Sequence, residues 1–143
     1  VTIMGKVQIL AVLTMDGCLS SELYDKAHQD LCLDRCGLDE IRKKAFYRVT
    51  PDYSISMLHE WRKDCTNIRY LAEATPDTAD YINGLLRMHA VDEIILYTVP
   101  FISGSGRHFF KSALPEQHWT LSSLKSYPNG VCRIIYILDK KAR

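Results

Sequence analysis

Twice in this chain a short apolar run passes directly into Thr-Pro-Asp and then into a helical pattern. Phe46-Tyr47-Arg48-Val49 meets Thr50-Pro51-Asp52, after which Met57, Leu58 and Trp61 mark a helix. Asn67 to Ala74, with Ile68, Tyr70 and Leu71 apolar, meets Thr75-Pro76-Asp77, after which Ala79, Ile82, Leu85 and Leu86 mark the next. Each junction has a physical logic. Threonine suits the N-cap, proline the first helical position, where its missing N–H costs nothing, and aspartate the first turn, facing the positive end of the helix dipole. A strand that runs straight into a helix, twice, points to an α/β architecture.

The other segments fit that frame. Val7 to Leu13 is nearly continuously apolar and short, as in a strand covered on both faces. It ends at the turn signal Asp16-Gly17. Ser20-Ser21-Glu22 reads as a helix start, with Leu23, Ala27 and Leu31 following at helical spacing and Gly37 closing the segment. Leu38 to Ala45 reads as a second short helix with Ile41 and Ala45 inward. Val91 to Val99 is a strand, Gly104 to Gly106 a loop, and Phe109, Phe110 and Leu114 suggest a helical turn before Pro115. Trp119 to Leu124 and Val131 to Leu138 are strands joined by the hairpin turn Pro128-Asn129-Gly130. The expectation is one three-layer α/β domain over residues 1–139, with a central mixed sheet, a C-terminal β-hairpin and a frayed tail at 140–143.

Composition narrows the function classes. Hydrophobic residues make up 47% and charged residues 24% of 143, which is ordinary for a globular domain with a real core. A net charge of +1 supplies no field for gripping nucleic acid or an anionic membrane. No apolar run approaches the roughly 20 residues of a membrane-spanning helix. Val1 to Lys6 lacks the layout of a signal peptide. The five cysteines are odd in number and scattered, so reduced thiols in a cytoplasmic protein are expected. Cys32 and Cys36 would share a helix face, but only His28 could join them there and there is no second cysteine pair, so no metal is expected. The five histidines are dispersed, and Trp61 and Trp119 read as core or interface anchors.

Two places carry candidate chemistry. Asp16 stands at the mouth of the first strand, where it either orients a substrate group or simply makes the Asp-Gly turn. Gly104-Ser105-Gly106 with Arg107 either cradles an anion or forms a tight loop that needs glycine's positive φ. No paired acid and base stands out.

The stretch Val91-Asp92-Glu93, with Pro100 and Gly104-Ser105-Gly106-Arg107, resembles the late segment of the dihydrofolate-reductase-like fold. The closest likeness is to the C-terminal reductase domain of the bifunctional riboflavin-biosynthesis deaminase/reductase. Thr14-Met15-Asp16-Gly17 resembles that family's Ser/Thr-x-Asp-Gly turn, and Asn129-Gly130-Val131 its final hairpin. The resemblance implies an NADPH-dependent reductase of the 5-amino-6-(5-phosphoribosylamino)uracil reductase or dihydrofolate-reductase-like class, acting on a small heterocyclic or ribosyl-pyrimidine substrate. It places the nicotinamide against Ala11 and Val12 and the rest of the cofactor near Thr50 and Thr75. The substrate falls near Asp16, Thr14, Gly17, Gly104, Ser105, Gly106 and Arg107. It also implies a homodimer, for which the aromatic hairpin (Trp119, Tyr127, Tyr136) is the candidate surface.

Three departures from the family pattern bear on the cofactor. Arg48-Val49-Thr50-Pro51 lacks the family's glycine, and Leu71-Ala72-Glu73-Ala74-Thr75 stands where the family has Gly-Gly at the pyrophosphate. A strand between these points is missing. A pyrophosphate needs free backbone N–H groups at a helix N-terminus and glycine for close approach. Here threonine hydroxyls are expected to occupy both helix starts, and Asp52 and Asp77 add like charge. At ~4 Å and an effective dielectric of ~20, one such repulsion costs about 4 kcal/mol, or roughly a thousandfold in affinity. The alternative to a reductase is therefore an inactive relative, a dimeric small-ligand-binding or interaction domain with weakened dinucleotide binding.

Overall fold

The computed structural model describes residues 6–20, 33–64, 68–104, 106–111 and 113–139. The strands are β1 (Lys6–Leu13), β2 (Tyr47–Arg48), β3 (Arg69–Glu73), β4 (Glu93–Thr98), β5 (Trp119–Ser126) and β6 (Cys132–Leu138). The helices among the described residues are α1 (Leu38–Lys44), α2 (Ile55–Asp64) and α3 (Ala79–Arg87), with a 3₁₀ turn at Leu33–Cys36. One mixed sheet runs in the order β2-β3-β1-β4-β6-β5. β1 lies parallel between β3 and β4, β2 extends the parallel part beyond β3, and the antiparallel β5–β6 hairpin closes the far side against β4. The expected three-layer α/β domain with a C-terminal hairpin is the observed one.

The apolar run of β1 is explained by its central place. Val7, Ile9, Ala11 and Leu13 face α2 and α3, where they meet Leu58, Ile82, Leu85 and Phe109. Leu10 faces the other way, into a second core with Leu33, Leu38, Leu71, Ile95 and Tyr97 beneath α1 and the 3₁₀ turn. A strand with helices on both faces has no solvent side, so alternation gives way to a continuous run. A buried ion pair fixes the lower end of the sheet. Arg62 Nη2 lies 3.0 Å from Asp92 Oδ1, Arg62 Nη1 donates to the His89 carbonyl, and Asp92 Oδ2 accepts from Val7 N–H.

Several sequence expectations need correction. Both helices after the Thr-Pro-Asp junctions start later than Thr50 and Thr75 imply. Ser54, not Thr50, caps α2, its Oγ accepting from Met57 N–H at 3.2 Å. The Thr75 hydroxyl does accept from Thr78 N–H at 3.2 Å, but the residues after it form a separate turn and α3 begins at Ala79. Proline and aspartate lie in the turns rather than in the first helical turn. The helical turn expected over Phe109–Leu114 is absent from the described residues there. Phe109 N–H donates to the Gly17 carbonyl, and the buried Asn83 side chain holds the Phe109 carbonyl and the Lys111 N–H. Those backbone groups are spent on tertiary partners. The helix expected from Ser20 through Leu23, Ala27 and Leu31 lies outside the described residues, as do His28, Cys32, Cys65, Asn67, Ser105 and the 140–143 tail. Cys18, Cys36 and Cys132 are free thiols.

Candidate active site

In an open α/β sheet ligands gather beyond the carboxyl ends of the parallel strands, near the point where chain connections diverge to either side. Here that point is the carboxyl end of β1, with β3 on one side and β4 on the other. Thr14 to Ser20 leave β1 as a tight turn. Thr14 N–H donates to the Cys18 carbonyl, Gly17 N–H to the Thr14 carbonyl, and Gly17 has a φ of 79° that a side chain would resist. The chain then runs beside residues 107–109, bridging Cys18 to His108, with Leu19 N–H donating to the Arg107 carbonyl at 2.7 Å.

Asp16 ties this turn to the loop after β4. Its carboxylate accepts from the Thr14 hydroxyl, from Gly104 N–H at 3.0 Å and from Ser103 N–H at 3.1 Å, while Met15 N–H donates to the Phe101 carbonyl. The Thr14 hydroxyl, then the Gly104 and Ser103 amides, hold the Asp16 carboxyl well below the usual carboxylate range. Asp16 is thus a carboxylate at neutral pH, equipped to accept hydrogen bonds and not to give a proton. Gly104 has a φ of 73°. Gly106 is required for another reason: a Cβ there would sit 2.6 Å from Ser103 Oγ and 3.0 Å from the Cys18 Cβ. Thr14, Asp16, Gly17, Gly104 and Gly106 therefore form one rim. Ser105 lies outside the described residues.

Arg107 extends the rim toward β3. Its Nη1 donates to the Pro76 carbonyl at 3.3 Å, which puts a cation at the β3–α3 junction where Thr75 and Asp77 stand. Ala11, by contrast, is 1% exposed within the α2–α3 core, and Val12 packs against the opposite core. Thr50 sits beyond β2, two strands from β1 in the sheet, and its hydroxyl faces the Asp52 carboxylate at 3.4 Å.

Four backbone donors at the β3–α3 junction are already engaged. Ala74 N–H donates to the Leu10 carbonyl, Thr75 N–H to the Thr78 hydroxyl, and Thr78 and Ala79 N–H to the Thr75 carbonyl. These four amides cannot face a dinucleotide's pyrophosphate as a glycine-built cradle does, and the Asp77 side chain adds like charge beside them. The cations on the neighbouring edge are engaged too. Arg42 pairs with Glu73, and Arg48 Nη1 lies 3.6 Å from the other Glu73 oxygen. Sequence reasoning missed Ser103, Cys18 and Glu73. Ser103 acts through its backbone and Cys18 through its close packing, so neither advertises itself by residue type.

Among the described residues no group of three or more His, Cys, Asp or Glu is placed to hold a metal ion, and no helix is long and apolar enough to cross a membrane. No protein-family model matches the chain, and no curated protein matches it significantly in sequence. Solved structures do match. RibD of Acinetobacter baumannii aligns with a TM-score of 0.62 at 12% identity, over 96% of this chain and 59% of that one. A protein from Shewanella sp. PV-4 described as belonging to riboflavin biosynthesis aligns at 0.61 and 10% identity, over 94% of this chain and 99% of that one. Dihydrofolate reductase from Enterococcus faecalis, in complex with NADP(H), aligns at 0.59 and 11% identity, over 98% of this chain and all (100%) of that one.

Proposed function

We propose that this chain, which has the dihydrofolate-reductase-like fold shared by RibD and dihydrofolate reductase, is a reductase-type domain for a small heterocyclic or ribosyl-pyrimidine substrate, with NADPH held weakly. The observation that carries the reading is the rim at the carboxyl ends of β1 and β4, where an ionised Asp16 locks the 14–17 turn to the 103–104 loop. A rigid carboxylate at that point accepts N–H or O–H donors of a heterocycle or ribose and fixes its orientation. Positioning of this kind is the protein's main contribution in hydride-transfer chemistry, whose reactive atoms belong to the cofactor. Asp16 itself supplies no proton.

A second reading is favoured by the β3–α3 junction: a catalytically inactive relative that keeps the substrate rim and has lost useful dinucleotide affinity. Engaged amides at Ala74, Thr75, Thr78 and Ala79, together with Asp77, support it. Arg107 then places a cation at that junction. Incubation with excess NADPH and a panel of amino-pyrimidine ribosides and dihydropterins separates the two. Substrate-dependent loss of NADPH absorbance, abolished in Asp16→Ala, supports the reductase. Binding of a panel member without turnover supports the inactive relative.

We propose further that the domain works as a homodimer through the hairpin. Leu121 and Leu124 on β5 are 52% and 63% exposed. Beside them Ile94, Leu96, Phe110, Trp119 and Tyr136 line an apolar hollow of about 240 Å³. Tyr127, expected in the same surface, turns inward and donates to the Cys36 carbonyl. Apolar patches of this kind mark protein contacts.

A further inference from the structure

We propose that the opposite end of the sheet carries a second ligand site, which takes a small phosphoryl oxyanion, either inorganic phosphate or the phosphate group of a small metabolite. A cavity of about 190 Å³ lies between α1 and the sheet. It is built on the amino-terminal halves of β1, β3 and β4, from Gln8, Arg69, Glu93 and Ile95, and is completed by Arg133 and Ile135 of β6 and by Gly37, Glu40, Ile41 and Lys44. It shares no residue with the rim at Asp16.

Its cations are the reason to expect a ligand. The Nε of Arg133 is buried with no hydrogen-bond partner. A buried guanidinium N–H left unpaired costs free energy, so the Arg133 charge stands under-compensated beside the cavity. The Arg133 head is held in place rather than loose. It lies beside the Tyr97 hydroxyl, and Tyr97 and Tyr127 both spend their own protons on the Cys36 carbonyl. Gly37, with a φ of 81°, makes room for it, since a Cβ there would lie 3.2 Å from Arg133 Nη1. Arg69 lines the same cavity half-buried and makes no ion pair among the described residues. Of the two acidic residues, Glu93 accepts a hydrogen bond from Gln8 Nε2 at 3.1 Å. Arg69, Lys44 and Arg133 against Glu40 and Glu93 leave one positive charge in excess, in a polar hollow too small for a nucleotide. Two guanidinium groups are the usual device for a tetrahedral oxyanion. The carboxylates suit hydroxyl groups attached to it.

Isothermal calorimetry with inorganic phosphate and with glycerol 3-phosphate, against chloride at matched ionic strength, tests the site in the whole chain. Both phosphates are expected to bind at one site per chain. Arg69→Gln, at a side chain that makes no ion pair among the described residues, is expected to weaken binding at least tenfold. Arg133→Lys keeps the charge but removes Nε and should also weaken it. Arg107→Ala and Asp16→Asn are expected to leave it unchanged. Tighter binding of glycerol 3-phosphate than of phosphate would identify a metabolite as the ligand, and the reverse would identify free phosphate. No phosphate-specific heat, meaning that water alone satisfies Arg133, would overturn the proposal. So would binding that survives Arg69→Gln or is lost in Arg107→Ala, which would move the anion to the β3–α3 junction.

Discussion

Asp16 accepts from three donors and is held ionised by them. Its pKa is lowered on folding, so its contribution to stability is present above the unfolded carboxylate value of ~3.9 and is lost as pH falls through the lower folded value. The Gly104 amide resonance should therefore show no inflection between pH 7 and about 4, and NMR titration checks this. Asp16→Asn keeps the size but turns one acceptor into a donor facing an N–H. Substrate-analogue affinity is expected to fall by roughly tenfold, because hydrogen bonds to charged groups are the stronger kind. Asn83 offers a contrast, being structural. It holds the Phe109 carbonyl and the Lys111 N–H, and Asn83→Ala should cost about 2 kcal/mol in denaturant unfolding by removing both bonds.

At the scale of elements, what the sequence made legible was periodicity, and what it hid was tertiary competition for backbone groups. β1, α1, β4 and the hairpin stand close to where their apolar spacing puts them, because both sheet faces or one helix face are buried there. The apolar spacing at 109–114 points to a helical turn that the described residues there do not form, since nothing in Phe109-Phe110 reveals that Asn83, 26 positions earlier than Phe109, takes its carbonyl. The Thr-Pro-Asp junctions were legible as strand-to-helix turns. Their caps were not, because Ser54 stands within a turn of Thr50 and is just as competent chemically, while the α3 N-cap residue Thr78 makes no side-chain cap bond and turns its hydroxyl to the Glu73 carbonyl. At the candidate site, glycine and Asp-Gly marked the rim, whereas Ser103 contributes only a main-chain amide that any residue would supply. The cap assignment has a direct check: Ser54→Ala should destabilise by about 1 kcal/mol, while Thr50→Ala should cost distinctly less.

Among the described residues the Arg62–Asp92 ion pair holds the lower end of the sheet, opposite the Asp16 rim. Arg62→Met leaves Asp92 partly buried beside Val7 without its cation and should destabilise by about 3 kcal/mol. The hairpin surface sets the proposed assembly: light scattering of Leu121→Glu/Leu124→Glu should give a monomer where the parent gives a dimer, and a monomeric parent would remove the interface. At the upper end the Asp16 rim stands near a β3–α3 junction in which the Ala74, Thr75, Thr78 and Ala79 amides are engaged, and weak NADPH binding is the proposal that follows. Fluorescence titration of NADPH tests it most directly, on the parent chain, on Asp77→Asn and on Asp77→Asn/Ala74→Gly. The account predicts dissociation in the high micromolar range or weaker for the parent, a modest gain on removing the Asp77 charge, and a further gain with glycine at 74, where the backbone can approach the pyrophosphate. Parent binding at or below about 1 μM, some −8 kcal/mol, would contradict it.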